Sequence, residues 1–171
     1  LAFASSAYLR VYTSAMTAKR IEAVLRPASV AVVGASDTPG SIGEVLCRNL
    51  HEGGFRGPVF YVNPRHASIG DKPSYPDVRS LPQTVDVAII ATPPPTLPTV
   101  LEHCGERGVR GAIIVSAGFR EGGEAGAAWE RSMLQVARRY GLRLLGPNSF
   151  GVIRTDNGFN ASCGAALPKP G

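Results

Sequence analysis

Three things are scarce in this 171-residue sequence, and each absence narrows the reading. No apolar run approaches the roughly 18 residues that a membrane-spanning helix needs. Cysteine is sparse: Cys47, Cys104 and Cys163 are odd in number, far apart and outside any CxxC spacing. That pattern offers no disulfide framework and no readable metal site, and it suits the reducing conditions of a cytoplasm. A basic strip interleaved with aromatics is also missing. The formal net charge is +5, but the basic residues are scattered, which opposes nucleic-acid binding and favours a polyphosphate ligand or a solvated surface.

What the sequence does have is glycine and proline, 20 and 14 residues, gathered at the ends of short apolar runs. Hydrophobic residues make up 44% and charged residues 18%, enough apolar content for one buried core. Val30–Val33 is an unbroken run of small and β-branched residues, as in a strand buried on both faces. A loop with Gly34, Gly40 and Gly43 follows, carrying the hydroxyls of Ser36, Thr38 and Ser41. Next, Ile42, Val45, Leu46 and Leu50 recur at helical spacing up to Gly53 and Gly54. Strand, glycine loop and helix start together aim backbone N–H groups and a helix dipole at phosphate.

The alternation continues along the chain. A short helix over Lys19–Arg26, with Ile21, Val24 and Leu25 on its apolar face, precedes the first strand. Further strands are expected at Val59–Val62, Val85–Ala91, Gly111–Ser116 and Arg143–Leu145. Ser68–Pro82 reads as a proline-rich connection with Tyr75 and Val78 packing inward. Leu97, Val100, Leu101 and Cys104 define one helix face; Trp129, Met133, Val136, Ala137 and Tyr140 define another. Strands and helices alternating at this spacing predict an α/β fold, Rossmann-like and doubly wound, with a mainly parallel sheet and helices on both faces. We divide the chain into an N-terminal extension over 1–18, the α/β domain over 19–163, and a linker over 164–171 toward a further domain.

In such sheets ligands bind beyond the carboxyl ends of the strands. Candidate residues therefore follow each strand: Gly34 to Gly43, Asn63 to His66, Thr92 to Pro95, Ser116 to Gly118, and Gly146 to Ser149. Two features oppose NAD. The glycine spacing is longer than GxGxxG, and the second strand ends in Asn63-Pro64-Arg65-His66, where a carboxylate would grip the adenine ribose. A neutral, then basic, strand end suits a ribose that bears a phosphate, as in NADP or coenzyme A.

Val30-Ala-Val-Val-Gly-Ala-Ser36, Gly40-Ser-Ile-Gly43, Val62-Asn-Pro64, Val115-Ser-Ala-Gly-Phe119 and Leu145-Gly-Pro-Asn-Ser-Phe-Gly-Val152 are the residues that carry a family likeness. In this order they resemble the CoA-binding domain of NDP-forming acyl-CoA synthetases, from about Ile21 to Cys163. The same domain occurs in the succinyl-CoA synthetase α subunit and in multidomain protein lysine acetyltransferases. The resemblance implies that CoA, or acyl-CoA, is the ligand. By it, Gly34, Ser36, Thr38, Pro39, Gly40 and Ser41 line the diphosphate loop, next to Asn63. His66 lies where succinyl-CoA synthetases place a lysine beside the CoA phosphates, with Arg65 as the alternative charge. Thr92, Pro93 and Pro94 face the adenosine end; Val115, Ser116, Ala117 and Gly118 flank the pantetheine; Asn148 sits at the turn nearest the thiol.

The family reaction exchanges acyl-CoA, NDP and phosphate for acid, CoA and NTP through a phosphohistidine on a second domain. His51 and His103 fall in predicted helices and read as surface or packed residues, so no catalytic residue and no complete active site is expected here. The implied partners are a histidine-bearing domain and an ATP-grasp domain. Two other readings stay open on the residues alone: a fragment of an NADP-dependent oxidoreductase, and a non-catalytic CoA-responsive regulatory domain.

Overall fold

The computed structural model describes residues 18–164; the N-terminal extension up to residue 17 and the linker stretch 165–171 lie outside the described residues. Among the described residues four α-helices, α1 (Ala18–Leu25), α2 (Ile42–Glu52), α3 (Leu97–Glu106) and α4 (Gly123–Tyr140), accompany nine strands. The strands are β1 (Val30–Val33), β2 (Val59–Val62), β3 (Ser68–Ile69), β4 (Lys72–Tyr75), β5 (Val87–Ile90), β6 (Gly111–Ile114), β7 (Arg143–Leu145), β8 (Gly151–Arg154) and β9 (Phe159–Ser162). Seven of them form one sheet in the order β3-β4-β2-β1-β5-β6-β7, parallel throughout except for the β3–β4 hairpin. This is the doubly wound, Rossmann-like α/β arrangement that the alternation predicts.

Burial on both faces explains the apolar runs. Every residue of β1, β5 and β6 is buried. Ala31, Val33, Ala88, Ile90, Ala112 and Ile114 face a core shared with α3 and α4. Their sequence neighbours Val30, Val32, Val87, Ile89 and Ile113 face a second core shared with α2 and β9. Strand alternation thus splits one continuous apolar run between two layers.

Three expectations need correcting. The Ser68–Pro82 connection is not all coil: β3 and β4 form an edge hairpin, and β4 extends the sheet beside β2 through Tyr61–Ser74 and Val62–Tyr75. The expected inward packing in this segment is seen at Val78, which is buried, and at Tyr75, which packs against that core with its ring edge-on to Phe60. On α4, Met133, Val136 and Ala137 face inward, but Trp129 and Tyr140 are each 36% exposed. The helix is seated instead through Gly126, where an added Cβ would fall 1.7 Å from the Phe119 carbonyl, and through buried Glu130, paired with Arg120. On α1, Val24 is buried while Ile21 is 38% exposed.

The β8–β9 hairpin completes the α2 face. Phe159 is fully buried and its ring lies 5.5 Å from that of Phe55. Buried Asn49, on α2, donates from Nδ2 to the carbonyls of Ser162 and Gly164, both at 2.8 Å. Asn49→Ala leaves two carbonyls without that donor. We expect it to lower stability by about 2 kcal/mol, read as a lower urea midpoint with an unchanged slope; a loss below about 0.5 kcal/mol would show that the clamp contributes little.

The thiols follow burial as well. Desolvation pushes Cys47 up to about 11 and Cys104 up to about 12, while Cys163 is half-buried and raised less sharply. A thiol reagent at pH 8 should therefore label Cys163 in the native protein and reach Cys104 only on unfolding. Labelling of Cys104 at native rates equal to Cys163 would contradict its burial.

Candidate ligand-binding site

The chain leaves β1 toward β2 on one side and reaches β5 on the other, so the strand order reverses between β1 and β5. The crevice of a doubly wound sheet opens at this point. Here Gly34 N–H donates to Val62 O at 2.8 Å, and Ala91 N–H donates to Val33 O at 2.8 Å. A cleft of about 400 Å³ lies beyond these ends, bounded by Gly34, Asn63 to Arg65, Pro76 to Val78, Ala91 to Pro93, and the α3 side chains of Val100 and His103.

The glycines of the first loop serve different ends. At Gly34, with φ +88°, an added Cβ would lie 3.0 Å from Ala91 O and 3.1 Å from Thr92 Cγ2. At Gly43 it would lie 2.1 Å from the Gly34 carbonyl, so α2 rests directly on the loop. Gly40 has φ +76° and nothing within 4 Å of a Cβ; its requirement is conformational, and its outer side is open.

Hydrogen bonds hold the loop in shape. Ser36 Oγ accepts from Thr38 N–H at 3.0 Å, and Ser41 N–H donates to Thr38 O at 3.1 Å. Ser41 caps α2, its Oγ accepting from Glu44 N–H at 3.2 Å. The Glu44 carboxylate accepts from Gly40 N–H at 3.4 Å and pairs with Arg48 at 2.8 Å. Thr38, Pro39 and Gly40 are exposed at the rim.

The residues picked from sequence separate into struts and free groups. Asn63 is a strut: Nδ2 donates to Ala35 O at 2.8 Å, and Oδ1 accepts from Arg65 N–H at 2.9 Å, tying the β1 and β2 loops together. Ser116 is another, buried, with Oγ donating to Thr92 O at 2.6 Å. The Val115 side chain lies in the α2-side core. Pro94 opens the turn that leads into α3 and stands 3.2 Å from where a Gly118 Cβ would be. Ala117, Gly118 and Asn148 are exposed at the rim. Asn148, at φ +52°, donates its N–H to Ser116 O at 2.9 Å, which holds the fifth loop against the fourth. Thr92, Pro93 and Arg65 line the cleft; His66 does not.

Near Gly118 a carboxylate is held in place. Partial burial opposes its charge, but the N–H groups of Gly118, Phe119 and Glu121 keep Glu121 below the usual carboxylate range. Sequence reasoning missed His103. It lies outside every loop motif, and the only signal was its place three residues after Val100 on the helix that follows the β5 loop. His51 is exposed on α2. Among the described residues, no group of three or more His, Cys, Asp or Glu could hold a metal ion.

A switch-point crevice with a glycine loop on one side and a strand end free of carboxylate on the other defines a nucleotide-binding Rossmann-like domain. Residues 28–155 match the family model described as CoA binding domain, and the chain belongs to that family. It is 46% identical over 136 residues to acetate–CoA ligase (ADP-forming) II of Archaeoglobus fulgidus, covering 80% of this chain and 20% of that protein. It is 43% identical over 155 residues to the α subunit of acetate–CoA ligase (ADP-forming) I of Pyrococcus furiosus, covering 88% and 34%. Its fold superposes on the dinucleotide forming acetyl-coenzyme A synthetase 1 of Ca. Korarchaeum cryptofilum, solved in complex with phosphate and ADP. That match has TM-score 0.79 at 38% identity over 84% of this chain and 31% of the other. The chain thus spans between a fifth and about a third of the curated relatives named here. Among the described residues no helix is long and apolar enough to cross a membrane.

The two loop glycines give a test of this geometry. In a helix, Gly→Ala ordinarily stabilises by about 0.5–1 kcal/mol. Gly43→Ala should instead destabilise, by about 1–3 kcal/mol, because backbone must yield to the new methyl. Gly40→Ala should cost about 1–2 kcal/mol from its left-handed backbone alone. Thermal unfolding reads both, and a stabilised Gly43→Ala would refute the close seating of α2.

Proposed function

We propose that this chain is the CoA-holding module of an NDP-forming acyl-CoA ligase and that CoA or acyl-CoA lies along the carboxyl edge of the sheet. The adenosine end occupies the cleft beside Thr92 and Pro93. The diphosphate crosses the loop of Gly34, Ser36, Thr38, Pro39, Gly40 and Ser41, which carries three hydroxyls and leads into the start of α2. The pantetheine runs past Ala117 and Gly118 toward Asn148. Asn63, Val115, Ser116 and Pro94 act on the ligand by fixing these loops.

The observation that carries this reading is the end of β2. Within the cleft, Arg65 stands where a dinucleotide site would set a carboxylate, and Asn63 spends its amide on the neighbouring loop. A ribose phosphate meets attraction there, and the Asp77 carboxylate that also lines the cleft is paired with Arg79. His66, outside the cleft lining, ranks behind Arg65 for that phosphate.

The chemistry of such a ligase, with its acyl phosphate and phosphohistidine, then belongs to a histidine-bearing domain and an ATP-grasp domain elsewhere in the parent protein. This module holds the carrier whose thiol is acylated.

Calorimetric titration tests the placement. CoA should bind about tenfold more tightly than dephospho-CoA at low salt, with the gap narrowing as ionic strength rises. Arg65→Ala should remove most of the gap, whereas His66→Ala should leave it. Equal affinities in the parent chain would remove the phosphate role from Arg65. Gly40→Val, which adds bulk on the open side of the loop, should abolish CoA binding; normal binding by a folded Gly40→Val protein would refute the diphosphate placement.

A further inference from the structure

We infer that His103 reads the edge of the nucleotide base in the cleft, which makes it the specificity-determining side chain for the adenosine half of CoA. The inference rests on the proposed placement of that half in the cleft. Val33, Val62, Val78, Ala91 and Val100 give the cleft apolar walls, suited to the faces of a planar base. Orientation must then come from the few polar side chains along it.

Most of these are already committed. Asn63 uses both ends of its amide, on Ala35 O and on Arg65 N–H. Asp77 caps the turn at Val78–Ser80: Oδ1 accepts from Ser80 N–H at 3.0 Å, and Oδ2 pairs with Arg79 at 3.1 Å. The Thr96 hydroxyl lies 2.7 Å from Pro93 O and 2.8 Å from Thr92 Oγ1. Two side chains remain, Arg65 and His103. Arg65 is exposed, directly after β2, and offers only donors, which suits phosphate.

His103 differs on each count. It is partly buried on α3, one turn beyond Val100, and borders the cleft together with Asp77 and Val78. Among the described residues its imidazole makes no hydrogen bond. An imidazole nitrogen turned into the cleft can donate to a ring nitrogen of adenine or accept from its amino group. A guanidinium can only donate, so it cannot accept from the amino group, and the apolar walls can do neither. The cleft therefore has one end for the ribose phosphate, at Arg65, and one for the base, at His103.

The test titrates the chain as it stands, His103→Leu and His103→Gln with three probes: CoA, adenosine 3′,5′-bisphosphate and 4′-phosphopantetheine. Leucine keeps the volume without the hydrogen bond; glutamine restores a donor and an acceptor. His103→Leu should weaken CoA and the bisphosphate in parallel, by about tenfold, and leave phosphopantetheine unchanged. His103→Gln should recover most of that loss, with urea midpoints of both variants close to that of the parent. Parent-level CoA affinity in folded His103→Leu overturns the inference, and so does an equal loss for all three probes, which marks a merely structural role. A parent chain that binds phosphopantetheine and CoA alike, and the bisphosphate not at all, refutes the cleft placement itself. That outcome is distinct from a failure confined to His103.

Discussion

The close seating of α2 on the β1 loop governs this molecule. With no side chain at Gly43, the helix start comes within a would-be 2.1 Å Cβ contact of the Gly34 carbonyl. That approach fixes where the helix N–H groups point, and it fixes the loop against the carboxyl ends of β1 and β5. Burial supplies the rigid backing. β1 is sealed on both faces and bonded on both edges, in matched register with β2 and β5, so the loop cannot relax by moving the strand beneath it.

Around that fixed point the rim is held together loop by loop. Asn63 joins the β2 loop to the β1 loop, Ser116 joins the β6 loop to the β5 loop, and Asn148 joins the last turn to Ser116. Each link spends a polar group that would otherwise be free for a ligand. The return is a row of loops whose relative positions are set before anything binds, which lowers the ordering cost of holding a long, flexible carrier.

Much of this was legible in the sequence because the central strands are buried on both sides and must be unbroken apolar runs. The edges were less so. β3 has two residues and β4 contains Pro73, so the hairpin rests on backbone pairing with almost no side-chain pattern. The β8–β9 hairpin did carry a signal, Asn157-Gly158 between two short runs, which is characteristic turn chemistry. On α4, counting large apolar residues favoured Trp129 and Tyr140, whereas the packing is decided by a glycine and a buried carboxylate. Tyr140 still serves the fold from outside, its ring covering Gly105 of α3.

The site shows the same division for a physical reason. Sequence motifs mark loops whose backbone is constrained, and Asn63 and Ser116 stand in them because the constraint needs them. A side chain that meets the ligand from a helix, as His103 does in the reading above, obeys only helical spacing and leaves no local mark. Helix α2 adds a last link. Its first turn faces the loop, while Asn49 near its other end grips the carbonyls of Ser162 and Gly164, where the described chain ends. One helix therefore ties the ligand loop to the end of the β8–β9 hairpin. Because its apolar face, with Leu46 and Leu50, is fully packed, the two ends are joined through a rigid element. Loop geometry and the placement of Ser162 to Gly164 are thus set by the same packed face.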